Sequence, residues 1–195
     1  MRRLICYGDS NTYGYDPRGY LGGRYPEEVR WINRLGFEGE TVNLGLNGRT
    51  IPHDAGSIER AVMNISANVN PEDENCLWIM LGTNDLTSMN NPSADEAADR
   101  MRGLLAALME QEPWKSNPQN VLIITPPDMH EGYFVYDDRT PAESLRLGET
   151  YSKAAEEFGV RCADLTGHDI PIAPDGVHLT EEGNAVLAKL LREYI

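Results

Sequence analysis

The sequence CLWIMLGTND, at residues 76–85, joins an apolar segment directly to a polar one. Every residue from 76 to 81 is apolar, so a strand formed there would bury both of its faces, as is typical of a central strand in a parallel sheet. The polar residues 82–85 follow where the chain leaves the carboxyl end of that strand. Because ligands bind outside the carboxyl ends of parallel strands, we expect residues 82–85 to border a functional site.

Strands and helices alternate along the rest of the chain. Further strands are predicted at residues 4–8, 40–44, 121–124 and 160–163. Apolar residues at helical spacing, with residues that start and stop helices, predict helices at residues 26–35, 54–67, 141–158 and 180–194, and one that begins after Ser93. This alternation predicts an α/β domain with a parallel sheet and helices on both of its faces.

Length, composition and charge narrow the class of protein. A chain of 195 residues with 41% hydrophobic and 25% charged residues suits a single domain over residues 1–195 and excludes a disordered or fibrous chain. Its 17 Lys and Arg against 31 Asp and Glu give a net charge of −14. Such a surface repels phosphate backbones and anionic membranes, so neither nucleic acid nor a membrane is an expected partner.

The length of the apolar runs and the number of cysteines indicate the cellular location of the protein. No apolar run exceeds six residues, and the N-terminal residues lack the apolar core and cleavage site of a signal peptide. Cys6, Cys76 and Cys162 are too few and too widely spaced for a disulfide framework or a metal knuckle, so we interpret them as buried free thiols. These features predict a cytoplasmic protein.

Polar or glycine-rich segments also accompany three other predicted strands. Residues 8–11 (GDSN) end the first strand, residues 45–50 (GLNGRT) follow the second, and residues 175–178 (DGVH) lie in the loop after the fifth. If the strand order is 2-1-3-4-5, the segments after the first three strands are neighbours. The last segment follows the edge strand, so it must cross three inter-strand spacings, about 14 Å, to reach the first strand. The connecting residues 164–177 span roughly 45 Å when extended, so all four segments can converge.

Ser10, His178 and Asp175 have the chemistry of a nucleophilic triad. A serine hydroxyl is a weak nucleophile, which needs a base within hydrogen-bond reach and a third group that orients the base. Imidazole exchanges protons near neutral pH, so His178 can act as this base. Asp175, three residues earlier, can accept a hydrogen bond from His178 Nδ1–H and stabilise the imidazolium once it forms.

Three N–H groups are candidate donors to an oxyanion. They are the backbone N–H of Ser10, the backbone N–H of Gly48, where no Cβ blocks approach, and the side-chain amide of Asn84. An amide suits this role because it donates to a negative charge, whereas a carboxylate would repel that charge. Gly45 is a competing candidate for the glycine donor.

In this order, the four segments resemble the sequence blocks of the SGNH hydrolases, also called GDSL esterases. Residues 8–10 match the first block, with Asn11 where many members carry Leu, and residues 47–50, 82–85 and 175–178 match the glycine, GxND and DxxH blocks. The resemblance extends over the whole chain. It implies a three-layer, flavodoxin-like domain with a five-stranded parallel sheet in the order 2-1-3-4-5, and it implies no cofactor.

The resemblance also implies roles for particular residues. Ser10 would be the nucleophile, His178 the general base and Asp175 its orienter, and the oxyanion hole would consist of Ser10, Gly48 and Asn84. Residues 29–31 (VRW) are most similar to the arylesterase-like members. The predicted function is therefore that of a serine esterase, which hydrolyses small, aryl or carbohydrate-linked acyl esters through an acyl-enzyme on Ser10.

Two other functions fit parts of the sequence. A metal-dependent phosphoesterase could bind a divalent ion through carboxylates and imidazoles, namely Asp9, Asp85, His168, Asp169, Asp175 and His178. However, the first strand lacks the Asp-x-His expected of a metallophosphoesterase, and Ser10 would have no task in such a site. A non-catalytic module could instead use the glycine-rich loops to hold a small ligand.

Several aromatic residues are candidates for a substrate pocket. Tyr13 and Trp31 are the first of these, although Trp31, at helical spacing with Leu35, could equally belong to the core. Residues 126–140 contain three more, Tyr133, Phe134 and Tyr136. This segment is predicted either as a solvated loop or as a pocket wall, a lid or a contact in a homo-oligomer.

Overall fold

A parallel sheet of five strands forms the centre of the structure. The computed structural model describes residues 1–19, 23–87, 93–135 and 137–195, so Tyr136 lies outside the described residues. The strands are β1 (Arg2–Gly8), β2 (Tyr15–Asp16), β3 (Gly23–Arg24), β4 (Glu40–Gly45), β5 (Glu74–Met80), β6 (Val121–Ile124) and β7 (Arg161–Ala163). The sheet order β4-β1-β5-β6-β7 confirms the predicted order 2-1-3-4-5, and β2 pairs with β3 outside this sheet.

Helices cover both faces of the sheet, as predicted. They are α1 (Ser10–Tyr13), α2 (Trp31–Arg34), α3 (Ala55–Ser66), α4 (Thr83–Leu86), α5 (Ala94–Leu108), α6 (Arg139–Phe158) and α7 (Glu181–Leu191), with 3₁₀ turns at Pro118–Asn120 and Arg192–Tyr194. Residues of α3, α5 and α6 pack on one face, and those of α2 and α7 on the other. Within the described ranges, none of the helices has both the length and the apolarity that crossing a membrane requires.

β1 shows how the sequence builds these layers. Successive side chains of a strand point to opposite faces. Leu4 and Cys6 therefore pack with α2 and α7, whereas Ile5 and Tyr7 pack on the other face. Gly8, the last residue of β1, is in register with the ends of both β4 and β5. Because these three strands end level with one another, the residues that follow them share one edge of the sheet.

The helix predicted over residues 26–35 is wrong over its first half. The residues before Arg30 form turns, and Arg30 itself is extended, with φ −62° and ψ 134°, a conformation that a helix cannot include. Only α2 is helical. The backbone N–H of Trp31 donates instead to Asn184 Oδ1 at 3.0 Å. A contact between residues distant in the sequence thus overrides the local pattern.

None of the three cysteines forms a disulfide. Cys6 and Cys76 are buried, as predicted, whereas Cys162 is partly exposed. Burial raises the pKa of the Cys6 thiol far above its ordinary value and that of Cys162 to about 11. These two thiols therefore stay protonated near neutral pH.

Candidate active site

Ser10 begins α1 directly after β1. Asp9 caps this one-turn helix, because its side chain accepts a hydrogen bond from the Asn11 N–H at 2.9 Å. A Cβ at Gly8 would lie 2.0 Å from Thr12 Oγ1, so only glycine lets α1 pack this close to the end of β1. The sharp turn places the Ser10 side chain at the carboxyl edge of the sheet, where the residue is almost fully buried.

Asp175 and His178 form a compact hydrogen-bonded unit. Asp175 Oδ2 lies 2.7 Å from His178 Nδ1, and Asp175 Oδ1 accepts from the backbone N–H groups of Val177 and His178, each at 3.0 Å. Burial acts to raise the pKa of the Asp175 carboxyl, but the hydrogen bonds from His178 and Val177 outweigh it and hold that pKa below its ordinary value. Asp175 is therefore a carboxylate at neutral pH.

Ser10 and His178 meet although they lie near opposite ends of the chain. Ser10 Oγ is 2.9 Å from His178 Nε2. The buried side chain of Asn11 joins the two segments: its Nδ2 donates to Val177 O at 3.0 Å, and its Oδ1 accepts from the Leu179 N–H at 2.9 Å. These bonds bracket His178 in the sequence and fix its position relative to α1. Asn11 had no predicted role, although its departure from the usual Leu of the first block was a signal.

Two aromatic rings border the imidazole of His178. The ring centroid of Tyr15 lies 4.3 Å from that of His178, with the planes inclined at 38°. The Phe134 centroid lies 6.0 Å from the imidazole, with the planes nearly perpendicular at 85°. Tyr15 was not among the predicted pocket residues, and no spacing in the sequence marked it, because α1 ends at Tyr13 and the chain turns at Gly14 before β2 begins.

Among the described residues, neither of the two predicted pocket aromatics, Tyr13 and Trp31, makes a ring contact with His178. Trp31 is buried in the core, where its ring stacks on Trp78 at 6.5 Å between centroids. It therefore takes the packing role, the second of its two predicted interpretations. The ring of Tyr13 packs against the guanidinium of Arg24, with 4.3 Å between the guanidinium carbon and the ring centroid.

The loop that carries Phe134 is hydrogen-bonded to the turn that carries Asp175. The Phe134 N–H donates to Asp175 O at 3.0 Å, and the His130 N–H donates to Gly176 O at 3.3 Å. A Cβ at Gly132 would lie 2.4 Å from the Asp175 carbonyl carbon, so the two backbones are in close contact. Of the roles predicted for residues 126–140, this placement favours that of a wall beside the site.

Asn84 and Gly48 lie on adjoining loops at the same edge of the sheet. Asn84, in α4, donates from Nδ2 to Arg49 O at 3.0 Å, and Arg49 directly follows Gly48. Gly48 is exposed and has φ +74°, a conformation that favours glycine. Its N–H makes no hydrogen bond to any other residue that the structure describes. The same holds for the backbone N–H of Ser10.

Gly45, the competing glycine, has a different environment. Its N–H already donates to Asn43 Oδ1 at 2.9 Å. A Cβ at Gly45 would lie 2.1 Å from Tyr13 N, so this glycine is needed for close packing of β4 against α1. Gly45 is thus a packing residue with an occupied donor, whereas the donor of Gly48 is available.

Asp85, in α4, joins the loop that carries Gly48 to helix α5. It is fully buried, its Oδ2 accepts from the Ile51 N–H at 3.0 Å, and its Oδ1 accepts from Arg100 Nη1 at 2.9 Å. Burial raises the pKa of the Asp85 carboxyl, against the opposing effects of the Ile51 N–H and the Arg100 guanidinium. Asp85 and Asn84 therefore hold the chain on the C-terminal side of Gly48 at two points, Arg49 and Ile51.

Asp9 is a further buried carboxyl group beside Ser10. Burial raises its pKa to about 6, against the hydrogen bond from the Asn11 N–H and the charge of a protonated His178. Above that pH, Asp9 places a second negative charge near the imidazole, in addition to that of Asp175.

Several of the candidate ligands for a metal site have other partners. Asp175 and His178 bind each other, and Asp85 binds Arg100 and the Ile51 N–H. Within residues 1–19, 23–87, 93–135 and 137–195, no three His, Cys, Asp or Glu side chains lie together in a group that could hold a metal ion. The site brings together a serine hydroxyl bonded to an imidazole, a carboxylate on the other side of that imidazole, and backbone N–H groups without a partner among the described residues.

Comparisons with known proteins extend over nearly the whole chain. A family model described as GDSL-like lipase/acylhydrolase matches residues 6–186, whereas no match was found among curated proteins. Among solved structures, the aryl esterase of M. smegmatis is 24% identical, covers 99% of this chain and 97% of its own, and has a TM-score of 0.82, which shows a shared fold.

Two acetylesterase structures are also similar to the chain. Est24, a carbohydrate acetylesterase from Sinorhizobium meliloti, is 25% identical over 99% of this chain and 97% of its own, with a TM-score of 0.79. A carbohydrate acetylesterase family member from the same organism is 26% identical over 99% and 96%, with a TM-score of 0.81.

Proposed function

Because the chain belongs to the GDSL-like lipase/acylhydrolase family, we propose that it is a serine esterase acting on carboxylic acyl esters, with Ser10 as nucleophile, His178 as general base and Asp175 as orienter. One observation carries this proposal. A continuous series of hydrogen bonds runs from Ser10 Oγ to His178 Nε2 at 2.9 Å and from His178 Nδ1 to Asp175 Oδ2 at 2.7 Å. This is the connectivity that activates a serine hydroxyl.

Acylation uses each of these contacts. Ser10 Oγ attacks the ester carbonyl carbon while His178 Nε2 takes the hydroxyl proton. The resulting imidazolium is stabilised by the Asp175 carboxylate at Nδ1 and by the adjacent face of Tyr15, since an aromatic face attracts a cation. The bond to the alcohol then breaks as His178 returns the proton to the alcohol oxygen, and the acyl group remains on Ser10.

The N–H groups of Ser10, Gly48 and Asn84 are proposed to stabilise the oxyanion of the tetrahedral intermediate. The backbone donors of Ser10 and Gly48 are free within the described part of the chain. Asn84 uses one amide hydrogen on Arg49 O, so its second hydrogen is available and its side chain is already oriented. Donors held in place before the reaction stabilise the transition state without reorganisation.

Deacylation repeats the sequence with water. His178 takes a proton from water, the water oxygen attacks the acyl carbon, and Ser10 Oγ leaves with the proton that His178 returns. The products are a carboxylic acid and the free enzyme.

The proposed substrates are small, aryl or carbohydrate-linked esters. This class is supported by the aryl esterase and carbohydrate acetylesterases of similar fold. The expected partner is thus a small molecule, and the acidic surface disfavours nucleic acid. A cytoplasmic location is proposed from the free cysteines, and a homo-oligomer from exposed apolar side chains on the helices, such as Met63 and Leu145.

Burst kinetics with p-nitrophenyl acetate test the function. The wild-type protein should release about one equivalent of p-nitrophenol per site in a fast phase, whereas Ser10→Ala should lose the burst and at least about 10³-fold of the turnover. Ser152→Ala is the control, because that hydroxyl contacts Cys162 rather than the site. Turnover that persists in Ser10→Ala would refute the nucleophile, and loss of wild-type turnover on adding a chelator would favour the phosphoesterase-type alternative.

A further inference from the structure

The alcohol part of an ester must lie beside His178 when it leaves. His178 Nε2 has to come within hydrogen-bond distance of the alcohol oxygen in order to protonate it. The Nδ1 side of the ring is occupied by Asp175, and Tyr15 covers one ring face at 4.3 Å between centroids. The Phe134 ring also borders the imidazole, with its centroid 6.0 Å away and its plane nearly perpendicular, at 85°.

Phe134 is exposed and yet anchored. Its side chain is 53% exposed, which is unusual for a ring that serves only to pack. Its backbone is fixed at both ends of the turn, since the Phe134 N–H donates to Asp175 O at 3.0 Å and the Gly132 N–H donates to Val135 O at 2.9 Å. The exposed Phe134 ring is thus held by a turn that is hydrogen-bonded to residues 175–178, the segment that contains His178.

On the basis of the esterase function proposed above, we propose that Phe134 is a specificity-determining residue, which binds the alcohol part of the ester through its ring. Alcohols that present a flat apolar surface are favoured, namely an aryl ring or the C–H face of a pyranose. Both stack on or against an aromatic ring, whereas a small branched alkyl group offers little flat surface.

Neighbouring Tyr133 provides a matched comparison. It is 83% exposed and follows Gly132 in the same turn, but its ring makes no contact with His178 in the described structure. A general effect of removing an exposed aromatic residue from this loop would therefore appear in Tyr133→Ala as well as in Phe134→Ala. An effect of the contact beside His178 would appear only in Phe134→Ala.

The experiment compares three acetates in wild type, Phe134→Ala, Phe134→Leu and Tyr133→Ala. Phenyl acetate and a fluorinated isopropyl acetate carry leaving groups of comparable acidity and different shape, and a monoacetylated glucose presents a pyranose. In Phe134→Ala, kcat/KM should fall by about three- to tenfold for at least one of the two ring substrates, phenyl acetate and the acetylated glucose, and by less than about twofold for the fluoroalkyl ester. Tyr133→Ala should leave all three values unchanged.

The outcomes separate this proposal from the esterase function. Equal losses on the flat and the branched ester in Phe134→Ala and Phe134→Leu, or no loss on any of the three esters, would overturn the role of Phe134. The p-nitrophenol burst with p-nitrophenyl acetate counts the intact sites to which all rates are referred. A loss on phenyl acetate without a loss on acetylated glucose would assign the site to aryl alcohols, and the reverse would assign it to sugars. Failure of the esterase function would appear differently, as turnover independent of Ser10.

Discussion

The two halves of the candidate site are built in different ways. The acid–base segment, residues 175–178, orders itself, because the Asp175 carboxylate accepts three hydrogen bonds from groups no more than three positions away. The oxyanion loops, residues 45–53 and 82–86, follow two different strands. They are joined by contacts across about 35 positions, from Asn84 to Arg49 and from Asp85 to Ile51.

Each half therefore has its own weak point. The acid–base segment keeps its internal geometry by itself, so it is most vulnerable at its attachment to Ser10, which depends on Asn11. Each oxyanion loop has short-range hydrogen bonds of its own, such as Arg49 N–H to Leu46 O at 3.1 Å and Leu86 N–H to Gly82 O at 3.1 Å, but these bonds do not join one loop to the other. The spacing of the two loops depends on a buried ion pair between Asp85 and Arg100, away from the reacting atoms. Variants on the two sides should therefore fail in distinguishable ways.

Asn84→Ala should lower turnover more than Asn11→Leu or Arg100→Met. It removes a proposed oxyanion donor, whose hydrogen bond to substrate would mature only in the transition state, so kcat should fall by about 10²- to 10³-fold while KM changes little. Steady-state kinetics with p-nitrophenyl acetate measure this. Asn47→Ala, an exposed amide next to Gly48, is the control. An unchanged kcat in Asn84→Ala would remove this residue from the oxyanion hole.

Asn11→Leu tests the attachment of the acid–base segment. The variant carries the residue typical of related sequences, and it leaves Val177 O and the Leu179 N–H without their partners. A small displacement of His178 from Ser10 should lower kcat by about ten- to a hundredfold.

Asn75→Leu is the matched control for Asn11→Leu. Asn75 is an equally buried asparagine whose side chain bonds backbone groups at the opposite end of the sheet. Both variants should lower the melting temperature, but only Asn11→Leu should lower kcat. An equal loss of kcat in the two variants would mean that Asn11 acts through stability alone.

Arg100→Met should have the smallest effect on turnover, less than about tenfold, and a large effect on stability. It leaves the buried Asp85 carboxylate without its counter-ion, which costs about 3 kcal/mol of unfolding free energy. Because burial already raises the pKa of Asp85, the cost is present when that carboxyl is ionised and is lost as falling pH protonates it. Denaturant unfolding at pH 8 and pH 5 measures the difference.

Arg102→Met provides the comparison for Arg100→Met. Arg102 lies on the same helix and pairs with Glu157 at the surface, where an ion pair is worth less than about 1 kcal/mol. If Arg100→Met destabilises the protein no more than Arg102→Met at pH 8, the ion pair does not support the oxyanion loops in the way described.

The sequence predicted structural features that depend on short segments or on a repeated pattern of residues. The five strands, and helices such as those that begin near residue 54 and after Ser93, follow from patterns of a few residues, whereas the strand order was implied by the resemblance to the SGNH hydrolases. The encounter of Ser10 with His178 was also predicted, because parallel strands bring their ends to one edge.

The sequence could not predict contacts between distant residues that no recognisable motif marks. The helix predicted over residues 26–35 is shortened, and the Trp31 N–H donates to Asn184 instead. Trp31 lies in the core, where its ring stacks on Trp78. Tyr15 and Phe134 become neighbours of His178 only through the folding of two loops. No short-range pattern carries that information.

Labelling with a fluorophosphonate probe, followed by peptide mass mapping, tests the central claim most directly. The proposed mechanism predicts a single adduct on Ser10, formed at least about 100-fold more slowly in His178→Ala because the base that activates the hydroxyl is gone. An adduct on another residue, no adduct at all, or the same labelling rate in His178→Ala would contradict it.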